Sequence, residues 1–121
     1  MNYKTIENYL LGKQGAKKDY PFGPDAAVFK VAEKMFALVI ESESMLRINL
    51  KCDPGEAQDL RSMFDAITPG YHMNKTHWNT IQIDGIVPGN LIFEMIDASY
   101  CLVIKGLKKS EREKINKSDC E

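Results

Sequence analysis

The chain opens with apolar residues that repeat every three or four positions. Tyr3, Ile6 and Leu10 fall on one side of a helix at this spacing. Gly12 then supplies a stop, so the pattern predicts a short amphipathic helix over residues 3–12. A helix this short is stable only when its apolar side packs against a larger element.

The repeat changes from helical to alternating in the next part of the chain. A segment rich in Gly and Pro at 15–25 predicts an ordered loop. Three strand candidates follow, separated by a few polar or small residues, and predict an antiparallel meander over 27–31, 34–40 and 45–50. In the last of them, apolar positions alternate with Arg47, Asn49 and Lys51, which predicts one buried face and one solvated, basic face.

The second half of the chain returns to helical repeats around one further strand. Asp53 precedes a proline and is followed at the third position by a glutamate, a pattern typical of a capped helix start. Apolar residues at helical spacing continue as far as Ile67, and the Pro-Gly pair after it favours a type II turn with Gly70 at positive φ. The pattern then predicts a strand over 76–83 and a final helix over 91–104.

The composition is that of an ordinary globular domain. Hydrophobic residues make up 44% and charged residues 27% of the 121 positions, which excludes a disordered or collagen-like chain. Sixteen Lys and Arg against seventeen Asp and Glu give a formal net charge of -1, so contact with nucleic acid would need a local basic patch. We predict one domain over 1–107 and a charged, frayed tail over 108–121.

The cysteines and the chain start bear on the cellular compartment. Cys52, Cys101 and Cys120 are odd in number and lack CxxC spacing, which favours free thiols over a disulfide or zinc scaffold. The first residues lack a basic region followed by an apolar run, and the longest apolar stretches fall short of a membrane span. We therefore expect a cytoplasmic protein without a membrane partner.

Recognition chemistry is concentrated in residues 69–80. This segment holds both histidines and the only tryptophan, together with a lysine and several amides. Each group can bind a partner by hydrogen bonding, charge or stacking, but we find no nucleophile, base and orienting group of the kind that marks an enzyme. We predict a contact surface without catalytic, metal or cofactor sites, formed by Arg47, Lys51, Tyr71, His72, Asn74, Lys75, His77, Trp78 and Asn79.

Several short motifs, taken in order, resemble those of one known family. They are Tyr20-Pro21-Phe22-Gly23, Lys34-Met35-Phe36, Leu50-Lys51-Cys52-Asp53-Pro54, Pro69-Gly70-Tyr71-His72-Met73-Asn74-Lys75, His77-Trp78-Asn79 and Ser99-Tyr100. In this order they resemble the MmcQ/YjbR family over roughly residues 1–107. The combination of a PFGP loop with PGYHMNKxHWN is far more specific than any single short motif.

The resemblance implies a fold similar to that of the bacterial frataxin group. This is an α+β two-layer sandwich, in which N-terminal and C-terminal helices pack on one face of an antiparallel sheet. The order of helix, meander and helix derived from the residues agrees with it. The family is described as DNA-binding through a double-wing arrangement of hairpins, so the resemblance also implies duplex DNA as the partner. The cations would then contact phosphates, and the amides and imidazoles would reach base edges or sugars.

Other interpretations of the same residues stay open. Trp78 and Tyr71 could pack in the core, and the two histidines could be hydrogen-bonded structural imidazoles. The surface around these aromatic residues could hold a protein or a small anionic ligand instead of DNA. Iron binding, which the frataxin comparison raises, would need clustered carboxylates, and the first helix offers only Glu7.

Overall fold

The helices and strands form two layers. The computed structural model describes residues 1–42, 45–71, 73–115 and 120. Their elements, in chain order, are α1 (Tyr3–Leu11), β1 (Lys17–Asp19), β2 (Ala26–Val31), β3 (Lys34–Ser42), β4 (Met45–Lys51), α2 (Pro54–Met63), β5 (Ile67–Pro69), β6 (Trp78–Gln82), α3 (Gly89–Lys105) and α4 (Lys109–Arg112). The strands form one antiparallel sheet in the order β1-β2-β3-β4-β6-β5. With the helices on one side of this sheet, the predicted α+β sandwich is confirmed.

The first helix begins and packs as its sequence predicts. The Asn2 side chain accepts a backbone N–H of the first turn over 2.9 Å and so caps the helix. Ile6 and Leu10 are fully buried. The Tyr9 hydroxyl donates to the carboxylate of Asp97 in α3 over 2.7 Å, which holds the two helices together.

The helix α3 forms the centre of the helical layer. It spans 17 residues, buries Ile92, Ile96 and Tyr100, and contacts β2, β3 and β4. The Tyr100 hydroxyl donates to the carbonyl of Gln14 over 2.6 Å, so α3 is also fixed to the segment after α1. Neither α3 nor any other helix in the described ranges has the length and apolarity needed to cross a bilayer.

Alternation along the strands gives the sheet two different faces. One face carries Phe29, Val39, Ile48 and Ile81, which join residues of the helices in one buried cluster. The intervening side chains point to the opposite side, which we call the open face: Lys17, Asp19, Val28, Lys30, Leu38, Arg47, Asn49, Lys51, Thr68, Trp78, Thr80 and Gln82. Because the helices pack on the other side, the open face is left to loops and solvent.

A serine on α3 bridges two strands where their pairing ends. The pairing of β2 with β3 is irregular at one point. Phe36 lies between Met35, which pairs with Lys30, and Ala37, which pairs with Phe29. The fully buried Ser99 hydroxyl donates to the Phe36 carbonyl over 2.6 Å and accepts the N–H of Lys51 over 2.9 Å. Ser99 thus links β3 to the end of β4, directly before the segment that leads into α2.

Two short strands at the edges of the sheet differ from the sequence prediction. β1 lies in the segment predicted to be a loop, and β5 lies where the second helix was predicted to continue. The helix α2 ends at Met63, and Ile67 is buried as a strand residue. Each of these strands has only three residues, which is too few to show the alternation on which strand prediction depends.

The charged segment after Leu107, which the sequence predicts to be a frayed tail, contains the short helix α4. On either side of α4, Leu107 and Ile115 pack against the core cluster. These two apolar residues anchor a segment whose own sequence has no apolar stripe. The remaining tail positions, 116–119 and 121, lie outside the described residues.

Cys101 and Cys120 form a disulfide, which corrects the prediction of free thiols. Their Cα atoms are 5.4 Å apart, a separation usual for such a bond. They are 19 positions apart in the sequence, and that spacing alone does not indicate the pairing. Of the cysteines, Cys52 is free and half-buried.

Candidate functional site

The chain after β5 turns back sharply toward β6. Gly70 donates its N–H to the carbonyl of Trp78 over 2.8 Å, and a Cβ at Gly70 would lie 2.7 Å from the Cβ of Trp78. Only glycine permits this approach. Positive φ among the described glycines occurs at Gly15, Gly23 and Gly85. Gly70 is therefore needed for close approach, and the prediction of a positive φ there is wrong.

Two buried polar side chains on the open face hold the residue after Gly70. The Thr80 hydroxyl donates to the side-chain oxygen of Asn49 over 2.6 Å and accepts the N–H of Tyr71 over 2.9 Å. The Asn49 amide donates to the Tyr71 carbonyl over 3.2 Å. Asn49 and Thr80 are 0% and 5% exposed, so the 70–77 loop crosses the open face and covers them. The Tyr71 side chain remains 55% exposed.

Arg61 of α2 ties the helical layer to the same loop. Its Nε donates to the side-chain oxygen of Asn79 over 2.7 Å, and a terminal nitrogen donates to the carbonyls of Lys75 and Trp78. The Asn79 amide donates to the Ala57 carbonyl over 3.3 Å. Asn79 is 1% exposed and its side chain bonds inside the protein. We therefore remove Asn79 from the predicted contact surface and assign it to the support of the loop.

Sequence reasoning missed Arg61, although the sequence carries a signal for it. Arg61 lies four positions after the buried Ala57, on the helical stripe that continues through Leu60 and Phe64. A charged residue within an apolar stripe indicates a polar partner inside the protein, because a buried charge is stable only when it is hydrogen-bonded. The identity of that partner depends on the register of β6, which the sequence does not provide.

The tip of the 70–77 loop presents a cation and an imidazole to solvent. The Asn74 side chain accepts the N–H two residues later over 2.9 Å, which forms a local turn. Lys75 and His77 are exposed, and the Lys75 ammonium donates to the carbonyl at the start of the loop over 3.2 Å. The predicted contact residue His72 lies outside the described residues.

The predicted strand residues lie on the open face beside this loop. Lys51 pairs with Trp78, and Arg47 pairs with Gln82, across β4 and β6. Arg47, Lys51 and Trp78 are half-buried, so this face is less solvated than the sequence predicted. The structure brings Lys51 and Trp78 together next to the loop. Arg47 lies four residues earlier in β4 than Lys51, at a distance of about 13 Å along the strand.

The open face has a charge opposite in sign to that of the chain. Its cations are Lys17, Lys30, Arg47 and Lys51, and its one carboxylate among the described strand residues is Asp19, which leaves a net charge of +3. The whole chain has a formal net charge of -1. The Lys30 ammonium lies 3.8 Å from the Asp19 carboxylate, so this cation is partly compensated. The other three form the local basic patch that the composition alone does not reveal.

The thiol of Cys52 lies at the end of β4, on the helical side of the sheet. Burial raises the pKa of Cys52 to about 11, and the carboxylates of Glu56 and Asp53 contribute to the rise. This thiol is therefore protonated at neutral pH, unlike the thiolates that act as nucleophiles. Among the residues that the structure describes, no three His, Cys, Asp or Glu side chains are grouped so that they could share a metal ion.

Known proteins match the sequence over most of its length. A YjbR family model matches residues 11–102. The uncharacterized protein YjbR of Escherichia coli strain K12 is 32% identical over 113 residues, which cover 93% of this chain and 96% of that protein. The uncharacterized protein YyaQ of Bacillus subtilis strain 168 is 40% identical, and the match covers 82% of this chain and 95% of that protein.

Solved structures match the fold as well. A crystal structure of the Deinococcus radiodurans protein DR2400, which has the domain DUF419, gives a TM-score of 0.87 at 32% identity and covers 98% of this chain and 94% of that one. A Pseudomonas syringae protein gives a TM-score of 0.74 at 32% identity and covers 84% of this chain and 98% of that one. The chain belongs to the MmcQ/YjbR family, as its motifs predicted.

Proposed function

We propose that this protein is a DNA-binding domain that acts without catalysis and contacts duplex DNA through its open face and the 70–77 loop. The observation that carries the proposal is the separation of charge, with +3 on the open face in a chain of net charge -1. Contacts between cations and phosphates supply essentially all of non-specific DNA affinity. A domain of this composition can bind DNA only through such a patch.

The spacing of the cations suits a duplex. Lys17 and Lys30 lie in β1 and β2, and Arg47 and Lys51 lie in β4. Neighbouring strands are about 4.8 Å apart, so β1 and β4 are separated by about 14 Å. This distance is close to the width of a major groove, about 12 Å. Cations at the two ends of the span can therefore contact phosphates on both sides of one groove.

The 70–77 loop adds groups that can reach sugars or base edges. The side chains of Tyr71, Lys75 and His77 are exposed, while Asn49 and Thr80 fix the backbone at the start of the loop. A loop held in this way loses little conformational freedom when it binds. Amides, imidazoles and aromatic rings are the groups that hydrogen-bond to or stack on nucleotides.

The opposite side of the domain would repel a duplex. Glu56 and Asp59 on α2 and Glu94 on α3 are exposed on the helical layer. Electrostatic complementarity therefore orients the open face toward DNA and the helices toward solvent. The proposal also implies a cytoplasmic location, where the DNA of bacteria such as those of its relatives lies. The proposal assigns no nucleophilic role to Cys52, whose raised pKa keeps the thiol protonated at neutral pH.

Fluorescence anisotropy with a labelled duplex across a salt series tests the proposal. Five cations, namely the four on the open face and Lys75, would give a slope of log affinity against log salt of about -4.5 if each contacts one phosphate. We expect binding that is clear at low salt and falls steeply as salt rises. A duplex that does not bind at low salt, or binding with a flat salt response, would contradict the proposal.

A further inference from the structure

A cavity lies on the helical side of the sheet and shares only Lys51 with the residues proposed to contact DNA. Its volume is about 270 Å³, and residues of β4, β6, α2 and α3 line it. Its apolar lining consists of Leu50, Leu60, Ile81, Leu91, Met95 and Ala98. Concave apolar surfaces with a few polar groups are the usual form of small-molecule sites, and the contact surface proposed for DNA uses none of these apolar residues.

The charged part of the cavity lining is mostly acidic, and Asn79 and Cys52 are its uncharged polar residues. Glu56 and Asp59 come from α2, and Glu94 comes from α3 on the other side. Lys51 also lines the cavity, but even if its ammonium is counted, three carboxylates against one cation leave -2. All three acidic residues are exposed, whereas Leu50, Ile81 and Met95 in the same lining are buried.

The Cys52 thiol at the cavity wall has a raised pKa. Burial is the main cause of its raised pKa, and Glu56 and Asp53 raise the pKa further. Cys52 lines the cavity, and the guanidinium of Arg61 lowers its pKa in opposition to these carboxylates. A negative potential over an apolar floor favours a ligand that is both apolar and cationic.

We propose that this cavity binds a small amphipathic amine, with its apolar chain on the Leu and Ile floor and its ammonium at the rim that carries Glu56, Asp59 and Glu94. The volume lies just below the range of about 300–1,000 Å³ that holds drug-sized ligands. The ligand is therefore a short alkyl or arylalkyl amine. An anion of the same size would meet three carboxylates, and a neutral molecule would leave them without a counter-charge.

Hexylamine, hexan-1-ol and hexanoate test the ligand class, because they share an apolar chain and differ in charge. We expect hexylamine to shift the NMR amide signals of Leu60, Leu91 and Met95, with a Kd of about 1 mM. Hexan-1-ol should bind about tenfold more weakly, since without the charge it loses the attraction of all three carboxylates. Hexanoate should cause no shift. Equal affinity for all three probes, or hexylamine shifts confined to other parts of the protein, would overturn the proposal.

Substitutions at the cavity test its position. Ala98 is an exposed helix residue that lines the cavity, so Ala98→Leu fills the space without burying a new group in the core. We expect Ala98→Leu to abolish hexylamine binding and Ala98→Ser to preserve it, with both variants melting like the parent protein. Unchanged hexylamine affinity in Ala98→Leu would overturn the proposal.

Charge variants test the acidic rim in the same titration. Asp59→Asn and Glu94→Gln should each weaken hexylamine binding by about two- to fivefold. Glu113→Gln, which changes an exposed carboxylate on the tail, is the matched control and should leave it unchanged. Equal effects of all three variants would show a general charge effect and contradict the site. Because the cavity and the open face lie on opposite sides of the sheet, Ala98→Leu should leave duplex affinity unchanged. The hexylamine titration does not require DNA, so its outcome is separate from that of the duplex experiment.

Discussion

Asn49 and Thr80 lie opposite each other across β4 and β6, and their side chains share a hydrogen bond of 2.6 Å. The same two side chains bond both backbone groups of Tyr71. This pair of buried polar residues on the open face therefore fixes the backbone position at the start of the 70–77 loop. The position of the exposed loop groups depends on strand register, because a slip by one residue would turn both side chains to the other face.

Thr80→Val should lower the free energy of unfolding by about 1–3 kcal/mol, because it leaves the buried Asn49 oxygen without its donor. Thr68 pairs with Thr80 from the edge strand β5 and is exposed. Thr68→Val is therefore a matched control, with an expected change within about 0.5 kcal/mol. Urea denaturation measures both variants. Equal losses would contradict a specific role for the Thr80 hydroxyl.

Arg61→Lys should loosen the 70–77 loop, because an ammonium cannot replace a guanidinium that bonds Asn79 and two carbonyls at once. We expect a loss of about 1–3 kcal/mol of stability. Amide hydrogen exchange should become faster in the loop and at the start of β6. Gln58→Ala, an exposed change on the same helix, should leave exchange unaltered. Arg61 would have no positioning role if its substitution also left exchange unaltered.

Glu7 should make stability depend on pH. Its carboxylate accepts hydrogen bonds from Lys18 and Tyr3, and the bond from Lys18 is the main cause that holds the pKa of Glu7 below its ordinary value of 4.5. The unfolded chain thus takes up a proton more readily than the folded one. This contribution is present above the ordinary pKa and is lost as pH falls through the folded value.

Glu7→Gln removes this contribution at every pH. In urea unfolding, the parent protein should exceed the variant by about 1 kcal/mol at neutral pH, and the difference should shrink as the solution becomes acidic. Lys4, Lys18 and Tyr3 remain in both proteins, so the comparison isolates the Glu7 carboxyl. A difference that stays constant down to acidic pH would show that protonation of Glu7 does not contribute.

The Cys101–Cys120 disulfide should appear in a thiol titration of the denatured, unreduced protein. Of the three cysteines, the disulfide occupies two, so one thiol should react. Closing a loop of this length stabilises a protein by about 3 kcal/mol in the chain-entropy model. Reduction and Cys120→Ser should each remove up to that amount, whereas Cys52→Ser should not. Three reactive thiols before reduction would contradict the bond.

Sequence periodicity was sufficient to locate a helix or strand that is long enough to show a repeating pattern of apolar residues. It located α1 and α3, and it located the β2–β4 meander, where β2 and β3 are apolar runs and apolar residues alternate with polar ones in β4. The three-residue strands β1 and β5 carry no such repeat. The anchors of the tail, Leu107 and Ile115, are single apolar residues whose role appears only when the chain is folded.

The candidate site was predictable only in part from the sequence. The residues after Gly70 form a loop that exposes Lys75 and His77, as expected of a polar segment between two strands. Asn79 was assigned to the contact surface because its type suits base recognition, but the register of β6 turns it inward to Arg61. Side-chain direction in a strand depends on pairing, and one sequence does not specify the pairing.

The proposal that the open face contacts duplex DNA is tested most directly by the salt dependence of binding in two double variants. Lys17→Ala with Arg47→Ala removes two cations from the open face, and Lys4→Ala with Lys109→Ala removes two exposed cations from α1 and α4. Both variants have the same net charge. We predict that only the first weakens binding and makes the slope of log affinity against log salt shallower by about 1.8. Equal slopes for the two variants, or no duplex binding by the parent protein, would contradict the account.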